Sequence, residues 1–375
     1  MDPKQHSARP VHALRGATGA ALLCVAAGAA LADVTVPGLL AVTVGAGIQT
    51  SIYDCDKACI YSPSTVAPGD TNVQGVALDS MRLYINGSIT DTIKMTFNTE
   101  YTGTGSGPDA NKVEVMDAIG RFEFNDHVNI WAGRFLPPSD RANLYGPYFA
   151  NDWAPYADGV ADFYPDVAIG RDNGLAYWGQ FGILKVQAGV FDGQTLNSAV
   201  ADKSKLLYAG RLTLDFWDPE PGYYFNGTYY GEKNLLALGA AAQTSDGHST
   251  FSIDGLMEKK LANLGAVTIE TEFNHDDGLT ALHHSDGWYV LGAYVFPQVI
   301  GIGKFQLLGK YSQKTIDALP MSVVPTSDKL KTTELNLNYI IKDFSARVGF
   351  YYLNQKDDLA GSSPNEFGIK LQLQM

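Results

Sequence analysis

The last ten residues alternate without a fault, with Glu366, Gly368, Lys370, Gln372 and Gln374 on one side of the chain and Phe367, Ile369, Leu371, Leu373 and Met375 on the other. A two-residue period belongs to an extended strand with one apolar and one polar face. The same split recurs at Val267, Ile269, Thr271 and Phe273 against Thr268, Glu270, Glu272 and Asn274, and at Leu335, Leu337, Tyr339 and Ile341 against Glu334, Asn336 and Asn338. It recurs again at Ile93, Met95 and Phe97 against Lys94, Thr96 and Asn98. A chain built this way must bury its apolar faces in a soluble sandwich or turn them to lipid in a barrel, and the period alone does not choose between the two.

Connection lengths discriminate better. Short turns at Thr90-Asp91, Asn125-Asp126, Phe181-Gly182, 262–265, 298–301 and Lys342-Asp343 interleave with longer polar links at 54–73, 104–111, 137–170, 194–203, 276–285, 317–328 and 356–363. Short connections on one side and long ones on the other are the pattern of an outer-membrane barrel. Counting alternating runs naively gives roughly seventeen strands, an odd number where single-chain bacterial barrels are even. The stretch breaking parity is GYYFNGTYYGEK (222–233), rich in aromatics and glycine but without clean alternation. Read as a long connection on the short-turn side, it leaves about sixteen strands and both termini on that side, with fourteen and eighteen as neighbouring counts. The expectation is an all-β fold, a transmembrane antiparallel β-barrel forming one domain over 33–375.

The first 32 residues read as a cleaved leader rather than as structure. Lys4, Arg9 and Arg15 precede an apolar stretch, Ala17 to Leu31, that ends in Ala30-Leu31-Ala32. That is a secretory signal with an Ala-x-Ala site, and Leu23 before Cys24 does not suit a lipoprotein signal. Beyond the leader no run of about 18 apolar residues occurs, so a spanning helix is not expected. The whole chain carries a formal charge of −13, and removing the leader makes it more negative, so nucleic acid is not the expected partner. Cys55 and Cys59 (YDCDKACIY) remain after processing, and in an oxidising compartment the pair reads as a small disulfide loop or as two idle thiols.

One stretch is neither strand nor helix in its pattern. Residues 137–170 (PPSDRANLYGPYFANDWAPYADGVADFYPDVAIG) hold Asp140, Asp152, Asp158, Asp162 and Asp166, a single Arg141, and the aromatics Tyr145, Tyr148, Phe149, Trp153, Tyr156, Phe163 and Tyr164, spaced by prolines that break any helical period. A loop this long and aromatic is expected to fold into the mouth of the barrel as a constriction, the plainer reading being a loop packed on the rim.

The polar faces supply the candidate pore-wall charges. Arg82, Lys94, Arg121, Lys185, Lys205, Arg211, Lys260, Lys304, Lys310, Arg347 and Lys370 are met by Glu100, Asp117, Glu123, Asp215, Asp254, Glu258, Glu270, Glu272, Glu334 and Glu366. The wall is close to balanced, and salt-bridge ladders are the plainer reading of any one member. Catalytic and metal signatures do not emerge. His127, His248, His275, His283 and His284 have no Gly-x-Ser-x-Gly elbow beside them. His275-Asp276-Asp277 and His283-His284-Ser285-Asp286 bracket one loop and read as a solvated polar loop before a cation site. No P-loop, dinucleotide fingerprint or Cys-x-x-Cys-His is present, so neither cofactor nor enzyme activity is expected.

The stretches DSMRLYINGSI (79–89), AGRFLPP (132–138), IGRDNGLAYWG (169–179), AGVFDG (188–193) and YAGRLTL (208–214) resemble the bacterial phosphate-selective porin O and P family. The resemblance implies a sixteen-stranded outer-membrane barrel, usually a homotrimer. The family's phosphate selectivity rests on a ladder of basic residues, and the balanced wall here departs from it. The expected function is therefore a porin for passive diffusion of small hydrophilic solutes or ions, weakly cation-preferring because the constriction loop sets five aspartates against Arg141 and the entry loops add Asp54, Asp56, Asp70, Asp276, Asp277 and Asp286. The alternatives are an anion-selective pore, an outer-membrane barrel enzyme, a barrel sheathing an electron-transfer partner, and a secreted soluble β-protein.

Overall fold

The computed structural model describes residues 32–33, 41–56, 59–60, 72–102, 112–160, 170–193, 205–278, 283–318 and 327–375. The leader up to residue 31 lies outside the described residues, and Ala32–Asp33 forms a two-residue strand paired with Thr43 and Val44. Sixteen antiparallel strands make the barrel. They are β1 (Ala41–Asp56), β2 (Asn72–Ser88), β3 (Ile93–Thr102), β4 (Lys112–Glu123), β5 (Asn129–Phe135), β6 (Asp172–Phe181), β7 (Leu184–Phe191) and β8 (Leu207–Asp215). The second half comprises β9 (Leu235–Ser245), β10 (His248–Lys260), β11 (Ala266–Asp277), β12 (His283–Ile300), β13 (Gly303–Ala318), β14 (Ser327–Lys342), β15 (Ala346–Asp357) and β16 (Asn365–Gln374).

Each strand pairs with its sequence neighbour, and β16 closes on β1 with Leu371 opposite Thr50 and Ile369 opposite Ile52. Closure leaves no unpaired edge, which is what lets a β-structure sit in hydrocarbon. The seam runs to the last residue: Met375 N donates to Ala46 O at 2.9 Å and Ala46 N donates to Met375 O at 3.0 Å.

The alternation seen in the sequence sorts the two faces. Ile269, Leu335, Leu337, Phe367, Ile369, Leu373 and Met375 are exposed on the outside, while Glu270, Glu334, Asn338, Lys370 and Gln372 are buried on the inside. A soluble protein would reverse that order, so the wall is built for an apolar surround. Aromatic pairs collect near both ends of the outer face, Phe305 with Tyr339 and Tyr294 with Phe296 towards the short turns, Trp288 with Tyr311 and Tyr352 with Phe367 towards the other end. Such girdles sit where hydrocarbon gives way to water.

Turns confirm the parity argument. Residues 216–234, which contain the stretch that broke the strand count, form no strand and connect β8 to β9 at the short-turn end. At the opposite end one connection departs from the expected length. β9 and β10 are joined by the two residues Asp246 and Gly247, both at positive φ (49° and 85°), the conformation that matches strand twist in a tight hairpin. Gly133 in β5 is a position that only glycine fills, since at φ 132° an added Cβ would strike the carbonyl oxygen of Ala118.

Candidate functional site

Residues 136–160 run from β5 against the polar inner faces of the wall. The pattern predicts no helix here, yet α1 (Arg141–Phe149) forms. Asp140 caps it, its Oδ1 accepting from Asn143 N at 2.7 Å, and the proline is tolerated because Gly146 at φ 64° splits the helix just before Pro147. Capping and a break at glycine are local devices that a count of prolines does not reveal.

The segment is tied down along its length. Tyr148 accepts from Ser80 Oγ at 3.0 Å and lies under the Arg82 guanidinium, which itself pairs with Glu100. Gln372 Nε2 donates to Tyr148 O at 3.0 Å. The Trp153 indole donates to Asn338 Oδ1 at 2.7 Å, its backbone N–H donates to Glu334 at 2.9 Å, and Arg347 stacks over its ring at 4.1 Å. Asp152 and Asp158 both take Lys310 Nζ, at 3.1 and 3.0 Å. Trp153, Asp152, Arg347 and Lys370 are each at most 2% exposed. Gln372, on the face that alternation assigns to water, is therefore enclosed by protein. Asp162, the remaining constriction residue expected from the sequence, lies outside the described residues together with Phe163, Tyr164 and Asp166.

A second segment, missed by the sequence reading, reaches the same place from the other end of the barrel. Residues 219–232 place Glu220 against Arg141, whose Nη1 and Nη2 donate to Glu220 Oε2 and Oε1 at 2.8 and 2.5 Å. Arg141 also donates to Asn226 O at 2.8 Å, and Gly227 N donates to Phe149 O at 2.8 Å. Tyr223 Oη donates to Leu136 O at 2.8 Å. The Phe225 ring is faced by three cations, Lys185, Arg211 and Arg141, at 4.3, 4.9 and 5.1 Å. Burial works against the charge on Arg141, but Glu220 more than offsets it and raises the guanidinium pKa above its ordinary value. Burial likewise pushes Glu220 up, yet the opposing Arg141 leaves its carboxyl below the usual glutamate range. The signal for this segment was its composition: Tyr223, Tyr224, Phe225, Tyr229 and Tyr230 repeat the aromatic density of residues 137–170.

The expected wall charges divide into two sets. Arg211 forms a bidentate pair with Asp254 (2.5 and 2.7 Å), Lys185 donates to the Glu220 carbonyl, and Glu270 and Glu272 share the Tyr289 hydroxyl at 2.9 and 3.4 Å. With Arg82 and Arg347 these are enclosed. Lys94 and Arg121 are not. They sit towards the short-turn ends of β3 and β4 with side chains 31% and 21% exposed, both directed at Glu123 (2.9 and 3.6 Å). Around them the inward residues Tyr84, Asn86, Asn98, Trp178 and Gln180 are also only partly buried. Lys205, Lys260 and Lys304 lie exposed rather than on the enclosed inner wall.

Two further expectations can be placed. Cys55 and Cys59 are joined as a disulfide, S–S 2.12 Å. At the long-connection end His275 Nδ1 meets Asp286 at 2.8 Å and His284 Nδ1 meets Asp277 at 2.7 Å, their side chains only partly covered, while the His283 side chain lies outside the described residues.

Solved structures share this architecture. An anion-selective porin from Comamonas acidovorans is 16% identical with a TM-score of 0.57, over 89% of this chain and 99% of its own. The outer membrane channel DcaP of Acinetobacter baumannii is 11% identical with a TM-score of 0.56, over 92% and 100%. OmpF of Salmonella typhi, in complex with daunomycin, is 10% identical with a TM-score of 0.56, again over 92% and 100%. At such identities the likeness is one of fold. No protein-family model and no curated protein matches the sequence.

Proposed function

We propose that the chain is an outer-membrane porin through which small hydrophilic solutes diffuse, with residues 136–160 and 219–232 as an inward constriction. One observation carries the reading: polar inner faces are sealed where the two segments lie, yet at the short-turn ends of β2 to β6 the charges Lys94, Arg121 and Glu123 stay partly exposed. That is where a water-filled path would run. Secretion by the leader, residence in the bacterial outer membrane and assembly as a homotrimer belong to the same proposal. The likeness in fold to named channels and porins supports it.

A passive channel is favoured over an enzyme because, among the described residues, the partly exposed wall holds ion pairs and amides rather than a nucleophile beside a base. Ion preference is weak in this reading. The cation preference expected from the sequence rested on constriction-loop and entry-loop aspartates; in the constriction loop Asp140 caps α1 and Asp152 and Asp158 pair with Lys310, while Asp162 and Asp166 lie outside the described residues. The test is single-channel recording of the purified protein in planar bilayers. Stable, ohmic steps in potassium chloride are expected; a folded barrel that inserts and never conducts would reject the proposal. Retention of conductance in His248→Ala, His275→Ala and His284→Ala, with no ester or peptide hydrolysis in the parent, would separate channel from enzyme.

A further inference from the structure

The outer wall changes character over a short distance on β12 to β15. At the long-connection end Lys331 on β14 stands directly opposite Lys356 on β15, and both turn outward, in step with the exposed Leu335, Leu337 and Phe350 on the same strands. Lys329, two residues further out on β14, is exposed on the same face. Like charges opposed across a strand pair repel. Asp358 offsets part of this by accepting from both, at 2.9 and 2.8 Å, which leaves two opposed ammoniums on one carboxylate with Lys329 beside them. The neighbouring acids are engaged elsewhere, Asp286 with His275, Asp328 with Leu359 N and Asp357 with Ala360 N, and Asp317 stands one step further out opposite Ser327. The side chains of Lys331 and Lys356 are 30% and 57% exposed, so a group outside the barrel reaches them.

Nearer the middle of the wall the same face holds a groove of about 780 Å³, lined among others by Leu307, Leu335, Leu337, Phe350 and Tyr352. Its upper edge at Leu335 is four residues from Lys331, about 14 Å along the strand. Gly292 on β12 lies opposite Gly309 on β13 in the groove floor. Neither has a positive φ, and a Cβ added at Gly292 would meet nothing within 4 Å, so neither backbone shape nor crowding requires glycine there. A glycine inside a strand weakens it and often marks the close approach of another molecule. Tyr311, paired with Trp288 at 5.7 Å, lies between the lysines and the groove.

We propose that this face holds one phosphorylated lipid of the surrounding leaflet, its phosphate between Lys329, Lys331 and Lys356 and an acyl chain lying over Gly292 and Gly309. A free anion would use the lysines and leave the groove bare. A lipid without net charge would fill the groove and leave the lysines opposed. A phosphate carried on an acyl chain answers both, with the aromatic pair at the level where headgroup meets hydrocarbon. The site rests on the wall standing in a membrane and not on conduction.

The test is native mass spectrometry of the intact barrel in neutral detergent, equilibrated with dioleoyl phosphatidic acid, dioleoyl phosphatidylcholine or inorganic phosphate. One phosphatidic acid per barrel should be retained, and phosphatidylcholine, with the same chains, should be held about tenfold more weakly. Lys331→Gln combined with Lys356→Gln should weaken retention of phosphatidic acid about tenfold. Gly292→Leu, which fills the groove without meeting a neighbour at Cβ, should weaken it severalfold. Lys259→Gln, at the short-turn end where the ammonium lies 4.6 Å from the Trp217 ring, should change nothing. Should the double lysine variant fail to fold, Lys329→Gln serves in its place and should weaken retention severalfold. Equal retention of the two lipids, displacement of phosphatidic acid by inorganic phosphate, or retention indifferent to both the lysine and the glycine changes would each overturn the site. A barrel that does not enter lipid vesicles overturns the membrane reading and the site with it, whereas one that enters them and never conducts overturns the channel reading alone.

Discussion

Arg141 and Arg121 are guanidiniums inside the same barrel, and their surroundings are opposite. Arg141 is wholly enclosed, held by both oxygens of Glu220 and by a backbone carbonyl. Arg121 is partly exposed and shares one carboxylate with Lys94 at 3.6 Å. The first joins residues 136–160 to residues 219–232, connections that belong to opposite ends of the barrel; the second stays partly exposed at the short-turn end of β4. An ion pair closed off from water fixes geometry, whereas one left partly in water would, in the proposed channel, stay available to a passing solute.

The largest effect should come from breaking the enclosed pair. Arg141→Ala or Glu220→Ala strands a buried charge and should cost about 3–5 kcal/mol, while the double replacement Arg141→Met with Glu220→Leu recovers much of it. Arg121→Ala should cost at most about 1 kcal/mol, as exposed pairs do. Urea unfolding of the refolded barrel measures both, and equal losses at the two arginines would break the comparison. Acid gives the same test without mutation. Since Glu220 is held below its ordinary pKa in the folded state, its contribution is present above the ordinary glutamate range and is lost as pH falls through the depressed folded value. Parent stability should fall in that window, and Glu220→Gln should flatten this part of the profile.

The outer face sets the next scale. Ile269→Arg places a charge among lipid chains and should cost about 2–4 kcal/mol, whereas Asn86→Arg, on the partly open inner wall, should be mild. Gln372→Arg belongs with the damaging changes, because Gln372 donates to Tyr148 O and Phe344 O (3.0 and 2.6 Å) in a site with no room left. Removing the Cys55–Cys59 bridge is smaller, about 2 kcal/mol for so short a loop. Its effect should be confined to the packed side, since Ile60 beside it donates to Glu366 at 2.7 Å and packs near Trp153 and Tyr351. Reduction should therefore raise current noise before it lowers conductance.

These contrasts also mark what the sequence could reveal. Which residues face lipid was legible from the two-residue period, because one slipped residue would turn Ile369 and Leu371 inward and Lys370 outward. The strand number was legible from parity at 222–233. The fate of the inner polar residues was not. Alternation assigns Gln372 and Asn86 the same side and says nothing of what covers it. Arg141 and Glu220 lie 79 residues apart, and nothing local to either names the other. Asp152 would look the same in the sequence whether it faced water or neutralised Lys310.

That last ambiguity yields the smallest predicted effect. If the loop carboxylates controlled permeation, Asp152→Asn and Asp158→Asn would carry the zero-current potential towards anions. Both are at most 3% exposed and share Lys310 Nζ, so one of their two charges is cancelled there and both are shut off from water. Glu123 is less enclosed: it is the carboxylate between Lys94 and Arg121, and neutralising it leaves two partly exposed cations uncompensated. Glu123→Gln should therefore shift the potential towards anions more than Asp152→Asn and Asp158→Asn combined. Added salt should erase the difference, because screening in water acts on the exposed set and hardly reaches the enclosed one. A larger shift from the two loop aspartates than from Glu123 would mean that the conducting path runs through the packed side, and the contrast between Arg141 and Arg121 would have to be drawn the other way round.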